Sequence, residues 1–152
     1  MTISAFAAAK KICDLNLNTN HGLTNLALQK ILYLAHMVYM GQNGGEPLIH
    51  EVFEAWDYGP VLPSLYHKVK IFGGNQIQDI FYEIPLIKPD SKEAILLEQA
   101  YKQLSDKQPG KLVAMTHRED GAWAKYYSPG IKGIIIPNND IQEEYKKIHD
   151  DR

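Results

Sequence analysis

The densest run of apolar residues lies between Leu26 and Met40, where hydrophobic side chains occupy nearly every face of a helix. Such a pattern is typical of a helix that the rest of the fold surrounds. Thr24 is a candidate N-cap, and Leu23 stands where it can pack on Leu28 as a hydrophobic staple. Gly41 is the first of three glycines that favour an end to the helix. The pattern therefore predicts one buried central helix.

Other helices are predicted where an amphipathic stripe follows a residue that can start or cap a helix. The candidate starting residues are Thr2 or Ser4, Pro63, Asp90, Pro109 and Asn139. Asp90 and Asn139 are each followed three residues later by Glu or Gln, which is the spacing of a capping box. Gly121 interrupts the chain before a predicted turn that contains Trp123.

Two short segments have the composition of strands. Val52 to Trp56 alternates in a rhythm rich in β-branched and aromatic side chains. Ile134 to Ile136, bounded by glycine and proline, is typical of a short buried strand and is a candidate partner for the first. Gly59-Pro60 indicates a turn. Ile77 to Ile87 has prolines inside and beside it, which favours an edge strand or an irregular segment.

These elements predict a mainly α (α+β) fold, with six to seven helices around the buried central helix and two or three short strands. A length of 152 residues fits one domain with a sizeable hydrophobic core. Since no linker, repeat or low-complexity segment divides the chain, we expect residues 1–152 to form a single compact domain.

Composition and charge exclude several classes of protein. Apolar residues make up 45% of the chain and charged residues 22%, which is typical of a globular protein and not of a disordered one. Sixteen basic against eighteen acidic residues leave a net charge of −2, so no bulk positive field for nucleic acid or an anionic membrane exists. One cysteine can form neither an internal disulfide nor a cysteine-based zinc cage.

Nothing in the sequence predicts a membrane or secreted protein. The longest uncharged apolar run, Ile31 to Met40, is much shorter than the roughly 20 residues that cross a bilayer. An alanine-rich stretch precedes Lys10 and Lys11, whereas a signal peptide has its basic residues before its apolar region. We therefore expect a cytoplasmic protein without a membrane partner.

The sequence contains no recognisable catalytic, cofactor or metal motif. Its six histidines are scattered, and no H-E-x-x-H, G-x-S-x-G, P-loop or G-x-G-x-x-G pattern occurs. Cys13 lies on a predicted apolar helix face, where it serves as a small core hydrophobe. We therefore expect no enzyme activity, no cofactor and no metal.

Aromatic residues with polar tips cluster in two places. His117 and Trp123 favour a structural role, because a buried ring N–H must find a partner and can thereby fix a helix end. The block from Trp56 to Gly59 is compatible with an interface anchor and with a core corner between strand and helix. Both interpretations remain open from the residues alone.

Several blocks, in this order, resemble the Panacea domain of the SocA-like antitoxins, which is also found in phage-associated proteins. The blocks are Leu28-Gln29-Lys30 with Tyr33, then Ala55-Trp56 with Tyr58-Gly59-Pro60-Val61, then Pro63, Leu65 and Tyr66, and finally Thr116-His117 with Trp123. The family often has proline directly before the later tryptophan, and this chain has Ala122 there. The resemblance covers nearly the whole chain.

The resemblance implies a mainly helical domain that neutralises a toxin encoded beside it by direct protein binding. Some members are thought to deliver their toxin to a cytoplasmic protease instead. The domain pairs with unrelated toxins, so membership does not identify the toxin or the oligomeric state. It also implies structural roles for the family-motif residues, which are Gln29, Lys30, Tyr33, Ala55, Gly59, Pro60, His117 and Trp123.

From aromatic residues beside loops, we expect the partner-binding patch at Trp56, Asp57, Tyr58 and Tyr66, with Arg118 alongside. The alternative is a nucleic-acid-binding regulator of its own operon, in which phosphate contacts would weaken steeply with salt. The central helix argues against it, because a recognition helix needs an exposed polar face. A hydrolase acting through His117 ranks last.

Overall fold

The computed structural model describes residues 1–19 and 21–150, which form seven α-helices and one three-stranded sheet. The helices are α1 Ala5–Leu17, α2 Asn25–Gln42, α3 Pro63–Val69, α4 Lys92–Leu104, α5 Pro109–Thr116, α6 Ala122–Tyr126 and α7 Asn138–Asp150. The strands are β1 Phe53–Trp56, β2 Gly59–Val61 and β3 Ile135–Ile136. The predicted mainly α fold, with six to seven helices and two or three strands, is confirmed.

Helix α2 is the predicted central helix. Its side chains are buried along most of its length, and it lies against α1, α3, α4, α5, α7 and β2. The Thr24 hydroxyl accepts a hydrogen bond from the Ala27 N–H at 3.2 Å, and Leu23 and Leu28 are both buried in the core. The N-cap and the staple therefore define the start of α2 as the pattern predicts.

Polar side chains on α2 are buried with it, and four of them connect α2 to neighbouring segments. Gln29 and Lys30 contact the β2 segment, and Tyr33 contacts α7. The His36 Nδ1 accepts a hydrogen bond from the Ile49 N–H at 3.2 Å, and its Nε2 lies 3.0 Å from Asn138 Oδ1. The helix is thus apolar in bulk, and its few polar groups connect it to the surrounding segments.

The sheet has the order β2-β1-β3, with both pairs antiparallel. The pairing of β1 with the Ile134–Ile136 segment is confirmed, because Phe53 faces Ile136 and Ala55 N donates to Ile134 O at 2.9 Å. The turn predicted at Gly59-Pro60 is wrong by two residues. Both residues belong to β2, and the hairpin turns at the two residues before them.

Four helix predictions need correction. Ser91, not Asp90, caps α4, since its hydroxyl accepts from the Ala94 N–H at 3.1 Å. The last helix begins one residue before Asn139, directly after a proline. The predicted turn around Trp123 is instead the short helix α6. Helix α2 also continues through Gly41 to Gln42.

Gly41 is explained by helix packing and not by helix termination. A Cβ on Gly41 would lie 2.1 to 2.4 Å from three ring atoms of Tyr145, so α7 approaches α2 over a bare backbone. About two helical turns earlier in α2, the Tyr33 hydroxyl donates to the Glu144 carboxylate at 2.7 Å. These two contacts fix α7 on α2.

Glu144 also connects α7 to α6. The Ala122 N–H donates to Glu144 Oε1 at 3.0 Å, a bond that proline at this position could not form. Alanine in place of the family's usual proline at position 122 therefore supplies the N–H that binds Glu144. Burial raises the pKa of Glu144, although the hydrogen bond from Tyr33 acts in the opposite direction.

We expect Gly41→Ala to destabilise the fold by about 1–3 kcal/mol, because the new methyl group overlaps the Tyr145 ring in a packed contact. Urea denaturation measures the change. Gly110→Ala in α5 is the matched control, since nothing lies within 4 Å of its Cβ position and alanine favours a helix. Equal stability of the two variants would contradict the packing explanation.

Candidate functional site

A surface groove of about 700 Å³ lies beside the β1–β2 hairpin. Its walls come from the start of α2, the hairpin, α3 with the turn that follows it, and the loop before β3. Trp56, Asp57, Tyr58 and Tyr66 all line it. The fold thus brings together four of the five residues that the sequence predicts for partner binding.

The fifth residue, Arg118, lies outside the lining of the groove. It stands between α5 and α6, where its guanidinium group binds both carboxylate oxygens of Asp120 at 3.1 and 3.2 Å. The short separation along the chain explains this pairing, and the hydrogen bond from Arg118 lowers the pKa of Asp120. Arg118 therefore belongs to a local ion pair beside the α5–α6 connection.

Trp56 forms the aromatic centre of the groove. Its ring packs edge-to-face on Tyr66, with 4.8 Å between ring centroids, and Lys132 Nζ lies 4.5 Å from the ring centroid. The indole N–H donates to Glu54 Oε1 at 2.9 Å. The neighbouring Tyr58 is 74% exposed. The half-buried Trp56 ring, held by its neighbours, thus lies next to the solvent-exposed ring of Tyr58.

The inner wall of the groove depends on Gln29 and Lys30 of α2. The Leu62 N–H donates to Gln29 Oε1 at 2.9 Å, and Lys30 Nζ donates to the Pro60 carbonyl at 3.2 Å. These backbone groups belong to the edge of β2 that β1 does not cover. Buried backbone groups need partners, and here two side chains of a helix replace a further strand.

Gly59 allows this close contact between helix and hairpin. Its backbone φ of +118° is one that residues with a side chain rarely adopt. A Cβ there would also lie 2.7 Å from Lys30 Cε. Ala55, directly across from Pro60 in β1, is fully buried. Gln29 and Lys30 of α2 and the family-motif residues of the hairpin are therefore parts of one contact.

His117 and Trp123 form an aromatic stack that contacts the hairpin at the end of β1. Their rings are stacked with 3.7 Å between centroids, and Tyr127 stacks on the other face of Trp123 at 4.4 Å. The Trp123 indole N–H donates to the Trp56 carbonyl at 2.8 Å. His117 ends α5, and burial together with the nearby Lys30 lowers its pKa. The stack thus holds the last residue of β1.

Asp57 links the hairpin turn to the loop before β3. Its Oδ1 accepts a hydrogen bond from the Tyr127 hydroxyl at 2.7 Å and lies 3.5 Å from the Gly130 N–H. That hydrogen bond raises the pKa of Tyr127. The loop carries Ile131 and Lys132, which complete the groove wall.

Sequence reasoning missed Lys70, Ile131 and Lys132 as groove residues. They lie in a 3₁₀ turn and in a loop, and no periodic pattern marks them. The antiparallel pairing of β1 with β3 and the hydrogen bond from Tyr127 to Asp57 bring the loop before β3 to the hairpin. Within the Trp56 block, Trp56, Asp57 and Tyr58 line the groove, whereas Gly59 is buried against Lys30, so the block contains both a surface part and a core corner.

The described part of the chain contains neither a cluster of metal-binding side chains nor an activated thiol. No group of three His, Cys, Asp or Glu side chains among residues 1–19 and 21–150 could hold a metal ion. Burial raises the pKa of Cys13 to about 12, which disfavours the thiolate. No helix in the same residues is long and apolar enough to cross a membrane.

Comparison with known proteins identifies one family. The family model described as "Antitoxin SocA-like, Panacea domain" matches residues 28–124, which include the hairpin, Gln29 and Lys30 of α2, and the stacked pair His117–Trp123, but not Tyr127 or the loop before β3. Antitoxin SocA from Caulobacter vibrioides is 29% identical over 131 residues, covering 80% of this chain and 69% of that protein. No solved structure matches.

Lys30 predicts a pH dependence of stability. Burial lowers the pKa of its amine to about 7, so between about pH 7 and its ordinary value of 10.5 the unfolded chain holds a proton that the folded chain lacks. The contribution of Lys30 to wild-type stability therefore rises with pH in this window, by on the order of 1 kcal/mol per pH unit at most. Lys30→Met removes this gain.

Urea denaturation at pH 7 and pH 9 measures the two slopes. Lys111→Met is the matched control, because Lys111 is exposed on α5 and its loss should leave the wild-type slope unchanged. A Lys30→Met variant that gains as much stability as wild type over this range would show that the amine is not desolvated.

Proposed function

Since the chain belongs to the SocA-like antitoxin family with the Panacea domain, we propose that it neutralises a protein toxin by binding it directly through the groove beside the hairpin. Family membership supports an antitoxin role. The groove supports the location, because it collects aromatic side chains with polar tips at one solvent-exposed place.

The observation that carries the proposal is the pairing of a fixed Trp56 with an exposed Tyr58. Tryptophan and tyrosine are enriched among the few residues that dominate binding energy at protein interfaces. Trp56 presents a ring that Tyr66 and Lys132 already orient, so little side-chain entropy is lost on binding. A standard interface buries roughly 800 Å² per partner, which a domain of this size can supply.

The support beneath the hairpin favours rigid binding. The hairpin is hydrogen-bonded to α2 through Gln29 and Lys30 and to α6 through Trp123. A surface held in this way needs no ordering when a partner arrives, which strengthens binding without additional contacts. Blockade of the toxin and its delivery to a cytoplasmic protease both begin with this binding step.

We expect Tyr58→Ala to weaken toxin affinity at least about tenfold and Trp56→Ala about 30-fold, because the first removes an exposed ring and the second the oriented centre. The toxin to test is the product of the gene beside this one, and calorimetry or interferometry gives the affinity. Tyr82→Ala is the matched control, since Tyr82 is 71% exposed and does not line the groove.

A cellular assay tests the function itself. Expression of the neighbouring product alone should stop growth, and co-expression of this chain should restore it, while a folded Trp56→Ala variant should not. A harmless neighbour, or full rescue by Trp56→Ala, would contradict the proposal. Binding to promoter DNA that weakens steeply with salt would instead favour an operon regulator.

A further inference from the structure

The groove carries a positive charge that the chain as a whole does not have. The net charge of the chain is −2, yet the groove is lined by two exposed lysines and one aspartate, besides Lys30, whose buried amine has a pKa lowered to about 7. Lys70 and Lys132 are exposed on its rim, while Lys30 lies at its buried inner wall. The surface therefore has a local excess of cations around an aromatic centre.

The rim lysines have no carboxylate partner among residues 1–19 and 21–150. Lys70 Nζ lies 3.4 Å from His67 Nδ1, and Lys132 Nζ lies over the Trp56 ring. The rim cations thus remain available to a partner of opposite charge.

The one acid in the lining, Asp57, forms no ion pair with them. Asp57 uses Oδ1 to accept the Tyr127 hydroxyl hydrogen bond, and the same oxygen faces the Gly130 N–H. Its role is to fix the loop that presents Lys132. Between the two rim lysines the wall is apolar, with Val61, Tyr66 and Ile131 contributing to it.

Resting on the proposed function, we propose that the groove takes an acidic segment of the toxin, in which an aromatic or large aliphatic side chain enters beside Trp56 and flanking carboxylates meet Lys70 and Lys132. The apolar wall accounts for the inserted side chain, and the unpaired lysines account for its acidic flanks. Charge complementarity of this kind raises the association rate and selects the partner.

Single-stranded nucleic acid also combines stacking bases with phosphates, but the groove favours a peptide. Nucleic-acid channels follow the backbone over roughly 4 to 16 nucleotides, whereas this site is a bounded cavity of about 700 Å³.

The test compares binding of the neighbouring gene's product to three proteins at about 50 and 500 mM salt. These are wild type, the groove variant Lys70→Glu/Lys132→Glu, and the control Lys102→Glu/Lys111→Glu on α4 and α5. We expect the groove variant to bind about tenfold more weakly at low salt, mainly through a slower association rate. The difference should shrink at high salt, where exposed charges are screened. The control should stay within about twofold of wild type.

A neutral variant, Lys70→Gln/Lys132→Gln, keeps the test valid if the double charge reversal disturbs the fold. We expect it to lose less affinity than the Glu variant and more than the control.

Overlapping 15-residue peptides of the same product identify the bound segment, which should be net negative and contain a large apolar residue. If wild type binds the product but the lysine variants bind equally well, the inference is wrong and the proposed function stands. If wild type does not bind the product, both are wrong. Competition by an oligo-dT strand would overturn the peptide assignment in favour of nucleic acid.

Discussion

Two polar residues on the apolar central helix, Gln29 and Lys30, hold the backbone of β2 in place, and the arrangement of the surface depends on them. Their side chains satisfy the Leu62 N–H and the Pro60 carbonyl, which lie on the strand edge that no other strand covers. A hairpin this short is only marginally stable by itself in water. By binding its free edge, α2 makes the hairpin part of the core.

This contact explains why several separated residues form one unit. Gly59 is needed because the Lys30 side chain lies where a Cβ would be, and Ala55 is needed because the opposite side of the hairpin is fully buried. Trp123 completes the unit by donating to the Trp56 carbonyl. The hairpin is therefore fixed from two directions, and its solvent side presents the groove residues with little freedom. A rigid support of this kind allows aromatic side chains on a loop to act as binding anchors.

Local signals made β1 and most of the helices predictable, whereas α6, β2 and the groove depend on tertiary contacts that no local pattern shows. Thr24 and the apolar run after it define α2 without reference to the fold. Strand β2 has three residues, one of them proline, so no periodic pattern can mark it, and it depends on its pairing with β1 and on its contact with α2. The cap at Ser91 was missed because Asp90 also has cap chemistry, and geometry decides between them. Likewise, Arg118 is near Trp123 in sequence, but its local pairing with Asp120 places it outside the groove.

The most direct test of the contact between α2 and β2 is amide hydrogen exchange at Leu62, whose N–H donates to the Gln29 side chain. In wild type we expect the Leu62 amide to exchange as slowly as core amides of α2. In Gln29→Leu, a change of similar volume, it should exchange much faster while the α2 amides stay protected. Fast exchange at Leu62 in wild type, or unchanged protection in Gln29→Leu, would show that the helix side chain does not hold the strand.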